Sequence, residues 1–226
     1  LSTTTTRIDR ATAIEIAKAF VAEIELCTDQ LIVAGSLRRR LAYVGDIEIV
    51  AVPKVEIERV ETVGLFGSEF TAHTVDRLAE RLDAMLGAGE VSKRASASGG
   101  TAYGPKHKRL LYRGAPIDLF CAVGISKGED GRDAVQAEPD RFGLILTIRT
   151  GPAAYSHQLV TEKGKTVVVG KRGGRPITRV GLLPSHLRVQ GGWLTSRVSG
   201  IRIPTSTEQE FFERAQLRWL DAWERM

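Results

Sequence analysis

Residues 35–53, "GSLRRRLAYVGDIEIVAVP", combine a Gly-Ser pair, three consecutive arginines and two carboxylates one residue apart. The second half alternates as a strand does, yet Asp46 and Glu48 sit beside Ile47, Ile49 and Val50. Side chains at i and i+2 of a strand share a face, so the two carboxylates lie side by side. Like charges repel there, and a sheet core keeps them only beside a cation. Hard cations such as Mg²⁺ take oxygen ligands, commonly one or two carboxylates together with substrate phosphates. A third acid, Asp118, lies in "APIDLFCAV" (115–123), again a strand in which an unpaired carboxylate is costly. Three such groups can hold two metals ~3.5–4 Å apart. Read from the residues alone, Asp46 and Glu48 also fit a solvent-facing strand edge paired with arginine.

The turn before the strand favours the first reading. Gly35 lets the backbone approach a ligand, Ser36 offers a hydroxyl and an N–H, and Arg38, Arg39 and Arg40 offer guanidinium forks for phosphate oxygens. A phosphate-binding turn feeding a metal-binding strand suits nucleoside triphosphate chemistry. It is not a P-loop, because G-x-x-x-x-G-K-[ST] is missing.

Around this segment the chain reads as α+β. Apolar residues at helical spacing (Ile8, Ala11, Ile14, Ala17, Val21, Ile24) predict a first helix, capped by Asp9 or Thr12. "LIVAG" (31–35) and 46–53 predict strands, and 71–86 a helix with Val75, Leu78, Leu82 and Met85 on one side. Strands are expected again between 91 and 123, with hairpins at the glycines. "SKGEDGRDAVQAEPD" (126–140) reads as a polar loop and a boundary. Beyond it come a helix over 150–164, a hairpin with a basic tip in "KTVVVGKRGGRPITRVG" (165–181), a Gly-Gly turn at 191–192, and a last helix with Thr205 and Glu208 at capping-box spacing.

Composition (42% apolar, 26% charged) is that of a globular chain rather than a disordered one. No signal peptide or membrane-spanning run is expected. Cys27 and Cys121 read as reduced core residues of a cytoplasmic protein. Charge is uneven: residues 1–120 carry 16 basic and 16 acidic side chains, whereas 141–202 carry 11 basic ones and only Glu162 as an acid. A one-sign segment of that length is a candidate polyanion surface.

The run G-S-x-R-R followed by a G-D-x-[DE] strand resembles the nucleotidyltransferase superfamily, and specifically the family X (polymerase beta-like) DNA polymerases. "PIDLF", "RTGPAAY" and "IPTSTEQEFF" occur in the family's order, so the resemblance spans most of residues 8–226. It implies a nucleotidyltransferase palm with a mixed β-sheet and helices at 1–140, then a small basic α/β thumb at 141–226. By resemblance, Asp46, Glu48 and Asp118 are catalytic and hold two Mg²⁺ ions, with Mn²⁺ a possible substitute, and Asp118 helps to activate the primer 3′-hydroxyl. Gly35, Ser36, Arg39 and Gly45 would lie by the triphosphate, Thr150 and Gly151 by the sugar, and Tyr155, Ser156 and His157 near the nascent base pair. Lys106, Lys108, Arg109, His157, Lys163, Lys165, Lys171, Arg172, Arg175 and Arg179 would contact DNA.

The implied reaction adds dNMP to the 3′-hydroxyl of primer-template or gapped DNA with release of pyrophosphate, in short-gap repair, by a monomer that is nucleoid-associated if bacterial or phage-encoded. Three departures stand out. Glu48 replaces the usual Asp, as in aminoglycoside nucleotidyltransferases. Pro116 stands where an arginine often precedes the third acid, with Lys106, Lys108 or Arg109 as replacements. Ile148-Arg149 replaces an aromatic pair. The alternatives are a transferase acting on a small molecule or RNA, a template-independent terminal transferase, and a non-catalytic nucleic-acid-binding module.

Overall fold

The computed structural model describes residues 7–64, 67–95, 99–128 and 133–225. Strand β1 (Ile8–Asp9) leads into helix α1 (Arg10–Ile24), where the Asp9 carboxylate accepts from the Thr12 backbone N–H at 3.0 Å. Strand β2 (Thr28–Val33), the single turn α2 (Gly35–Arg38), β3 (Tyr43–Val44) and β4 (Ile47–Pro53) follow. A long hairpin, β5 (Val55–Gly64) and β6 (Gly67–Asp76), precedes helix α3 (Arg77–Gly87). Then come β7 (Val91–Lys93), β8 (His107–Tyr112), β9 (Ala115–Cys121) and a second hairpin, β10 (Val123–Lys127) with β11 (Asp133–Ala137). Helices α4 (Phe142–Thr150) and α5 (Ala153–Val160) lead to a third hairpin, β12 (Thr166–Arg172) with β13 (Arg175–Val180). Strands β14 (Leu187–Gln190), β15 (Trp193–Ser196) and β16 (Arg202–Ile203) form a small sheet before helix α6 (Glu208–Arg214).

The central sheet has the order β2-β4-β9-β8-β7, and only the β4–β9 pair is parallel. This mixed sheet with flanking helices is the expected α+β class. The strand period of two divides its residues cleanly. Ile47, Ile49, Ala51, Ile117, Leu119 and Leu110 pack with Ala17, Phe20, Leu78 and Leu82 of α1 and α3. On the other face, Val50, Val52, Phe120 and Ala122 pack with Phe142 and Leu146 of α4. That second face is therefore covered at one end by α4, and it carries the acids at the other.

Helix α4 also belongs to a third cluster, in which Leu144 and Ile148 meet Leu159, Leu194, Phe211 and Phe212. Gly143 permits its crossing with α6: a Cβ there would lie 1.9 Å from the Thr207 carbonyl oxygen. The expected boundary at 140 falls just before this shared helix.

Several expectations are corrected. Residues 71–76 form strand rather than helix, because Thr71, Thr74 and Val75 are β-branched and Asp76 caps α3 through the Ala79 N–H at 2.9 Å. The expected polar loop at 126–140 instead carries part of a hairpin, with Ser126 and Lys127 paired to Ala134 and Asp133, and with Ser126, Lys127, Asp133 and Gln136 exposed. Residues 129–132 of that loop, and 96–98 of the glycine-rich segment, lie outside the described residues. Thr150 ends α4 instead of capping the next helix, which begins after Pro152. The final cap is Thr207 with Glu210, two residues later than expected, and α6 stops at Arg214. Among the described residues no helix is long and apolar enough to cross a membrane. Cys27 and Cys121 are both free thiols, the second buried.

Candidate active site

Register brings the acids together. In the parallel β4–β9 pair Glu48 stands opposite Asp118, and in the β8–β9 pair Arg109 stands opposite the same Asp118. Asp46 lies two residues before Glu48, so all three carboxylates project from the face that α4 leaves open. The Gly-Ser turn closes over them. The Ala34 N–H donates to the Glu48 carbonyl at 2.7 Å, and Gly35 takes φ +64°, where a Cβ would meet Glu48 Oε2 at 2.0 Å. Glycine is thus required twice over, for its dihedral and for the approach.

Asp118 is the best-held acid. Its Oδ1 accepts from Arg94 at 2.6 Å and from Arg109 at 3.3 Å, and His107 Nε2 lies 3.7 Å away. Burial would raise its pKa, but His107, Arg94 and Arg109 outweigh burial and hold it at about 2. Asp46 and Glu48 make no ion pair among the described residues. Burial and then the Asp118 charge raise Asp46, whose carboxyl is within hydrogen-bond reach of Asp118. Burial and then the Asp46 charge push Glu48 up to about 7. Two of the three acids are consequently unsatisfied as anions.

No three carboxylate, imidazole or thiolate groups among the described residues already converge on one point. The donor set nevertheless suits divalent cations. Oxygen ligands on neighbouring strands repel one another; Arg94 and Arg109 bond only to Asp118, while Arg149 and Arg39 act on Glu48 without an ion pair among the described residues.

The arginine run divides its labour, contrary to the expectation that all three face phosphate. Arg38 is committed internally: it donates to Thr150 Oγ1 at 3.0 Å and pairs with Glu208 at 2.6 Å. Arg40 turns outward at φ +64° and lies 4.1 Å from the Trp223 ring centroid. Arg39 alone is turned toward the acids, where its charge is felt by Glu48, and it donates to the Thr150 carbonyl. Arg38 and Arg39 thereby tie Thr150 to the Gly-Ser turn. Ser36 and Gly45 are half-buried at its edge.

Other expected residues do not join the site. Tyr155 and Ser156 are buried: Tyr155 packs in the C-terminal core, and the Ser156 hydroxyl donates to the Ile148 carbonyl at 2.6 Å. Neither is free to meet a base pair, since α5 turns that side inward. Lys108 is also corrected. The strand period points it to the helix-covered face, where it is 4% exposed and donates to the Gly104 carbonyl at 3.0 Å. Arg109 is occupied by Asp118. Lys106, His157, Lys163, Lys165, Lys171, Arg172, Arg175 and Arg179 are exposed.

Sequence reading missed Arg94 and His107, and it treated Arg149 only as a departure. Arg94 reaches Asp118 because its N–H donates to the Arg109 carbonyl, a pairing no local motif announces. His107 stacks on Phe120 at 4.4 Å, and the Arg149 guanidinium lies 3.8 Å from the same ring's centroid. The alternation of β8 was the available signal for His107, two residues from Arg109. Compared with known proteins, the chain matches no family model and no curated protein.

Proposed function

We propose that the chain is a DNA-directed nucleotidyltransferase of the family X polymerase type. It would join a dNMP to a primer 3′-hydroxyl, release pyrophosphate and serve in gap filling. The observation that carries this reading is the row Glu48–Asp118–Arg109 across three strands, with Asp46 beside it and a Gly-Ser turn folded onto Glu48. Divalent cations, when bound by Asp46, Glu48 and Asp118, supply the charge that a triphosphate and its leaving pyrophosphate require. Arg39 and the Ser36 hydroxyl bind phosphate oxygens, and Thr150–Gly151 flank the sugar. Arg94 and Arg109 orient Asp118 and keep it ionised beside the attacking hydroxyl. The basic segment 141–202 grips the DNA backbone, largely without regard to sequence.

A small-molecule transferase is the second reading, favoured by Glu48 and by an arginine, Arg149, where an aromatic pair would meet the sugar. Extension of a labelled primer on gapped and single-stranded DNA with Mg²⁺ or Mn²⁺ separates the two. Template-matched extension is expected, and Asp118→Ala should lower it by at least about 10³-fold, a loss of about 4 kcal/mol of transition-state stabilisation. Adenylation of an aminoglycoside with no incorporation on any DNA would replace this reading with the second.

A further inference from the structure

The hairpin β12–β13 forms a two-stranded sheet of its own. Its two strands pair over six registers, with an irregularity between Val168 and Gly170, and Gly173 and Gly174 make the tip at φ +57° and +78°. Every residue from 170 to 180 is exposed, so both faces of the distal half are open. Only the root is held: Val167 and Val169 are half-buried, and Gln158 of α5 donates to the Val180 carbonyl at 3.0 Å. A lone two-stranded ribbon is marginal in water, because it has no layer to bury its side chains against. This one also exposes Val168 by 53%, Ile177 by 40% and Val180 by 54%.

The chemistry of the missing layer can be read from the side chains. Lys171, Arg172, Arg175 and Arg179 project from the ribbon, and none of them makes an ion pair among the described residues. Four unpaired cations oppose self-association. Pro176, the irregularity and Lys171 make a poor edge for strand addition by another chain. A rod of closely spaced negative charge is the complementary partner. The major groove of duplex DNA, about 12 Å wide, admits a two-stranded ribbon. The register puts Arg172, Arg175, Ile177 and Arg179 on one face and Lys171, Val168 and Val180 on the other, and strands about 4.8 Å apart leave the long cationic side chains of both faces within reach of the phosphate walls.

We infer that β12–β13 is a groove-binding arm that lies in the major groove of duplex DNA. The inference takes its ligand from the polymerase reading and is tested apart from it. Binding of a blunt duplex is measured against salt, with dimethyl sulfate protection of guanine N7 mapping the major groove. The wild-type chain is compared with Lys171→Ala/Arg172→Ala/Arg175→Ala/Arg179→Ala and with Arg172→Glu/Arg175→Glu, and thermal melting confirms the fold of each. The log–log salt slope should flatten by about 3 to 4 in the four-alanine variant, about 0.9 for each lost phosphate contact. N7 protection should disappear in both variants.

Unchanged slope and protection would overturn the arm, as would protection confined to the minor groove, or dimers of the wild type that the variants dissolve. Incorporation that persists while the arm result is negative removes the arm alone. Loss of slope and protection in a chain that incorporates nothing removes the polymerase reading and keeps the arm.

Discussion

Two carboxylates in this molecule are each held by a pair of arginines, with opposite meaning. Glu208 accepts Arg38 at 2.6 Å and Arg225 at 2.5 Å, one on each oxygen, and is 5% exposed. Arg225 is itself fully buried, with further bonds to the Leu220 carbonyl and its guanidinium 5.1 Å from the Phe212 ring centroid. One acid there serves two cations, and neither of its oxygens is left over. Asp118 takes Arg94 and Arg109 on a single oxygen, and two further acids beside it make no ion pair among the described residues. The first cluster is closed and joins the Gly-Ser turn to the C-terminal helix; the second is open, with two carboxylates that no cation directly pairs among the described residues. Direct pairing of each carboxylate, rather than residue type, separates a clamp from a site.

That contrast breaks first at Glu208. Its replacement by Ala strands two guanidinium groups, one with no access to water, and should cost about 3–5 kcal/mol. For a chain of this size the melting temperature falls by about 10 °C. Asp118→Asn should cost less, on the order of 1–3 kcal/mol, because the carboxylate held at about 2 contributes stability at neutral pH that the amide loses; denaturant melts of both variants check the pair. A comparable loss at the two positions would mean that the acid cluster is structural.

The next test is the pH response of the open cluster. Glu48 ionises at about 7 in the folded chain against an ordinary 4.5, so the folded state binds that proton more tightly than the unfolded chain does. The stability linked to it is present below about 4.5 and is lost as pH rises through about 7. Glu48→Gln removes this titration. In chelator at pH 8 the variant should melt a few degrees above wild type, on the order of 1–3 kcal/mol. Near pH 4.5 the two should coincide, and Mg²⁺ should raise the melting point of wild type only. Scanning fluorimetry across pH measures all three.

The smallest effect is expected at Arg40, whose contact with Trp223 is exposed. Arg40→Ala should cost about 0.5–1 kcal/mol and leave primer extension unchanged. A large loss of extension would return Arg40 to the phosphate-binding set.

The acid strands, the Gly-Ser turn and the basic hairpin were legible because each depends on neighbours in sequence: strand alternation, a glycine dihedral, a Gly-Gly tip. The arginines were not. Arg38, Arg39 and Arg40 are chemically identical, and only the third dimension sends one to Glu208, one to the acids and one to Trp223. Arg94 escaped for the same reason, since it meets Asp118 through strand pairing 24 residues away. Tyr155 and Ser156 were misplaced because helix α4 was not anticipated, and its apolar run fits either a buried helix or a strand. The hairpin β5–β6 was hidden by a helix-like spacing that continues across Asp76.

Helix α4 has a mechanical consequence. Phe142 and Leu146 bind it to the sheet, Leu144 and Ile148 bind it to the C-terminal core, and Thr150 at its end receives two arginines of the Gly-Ser turn. The helix is about 13 Å long, so a turn of about 10° about its first residue would sweep Thr150 through about 2 Å above the acids. Whatever pulls on the C-terminal body pulls on a lever whose tip holds Arg38 and Arg39 of the Gly-Ser turn.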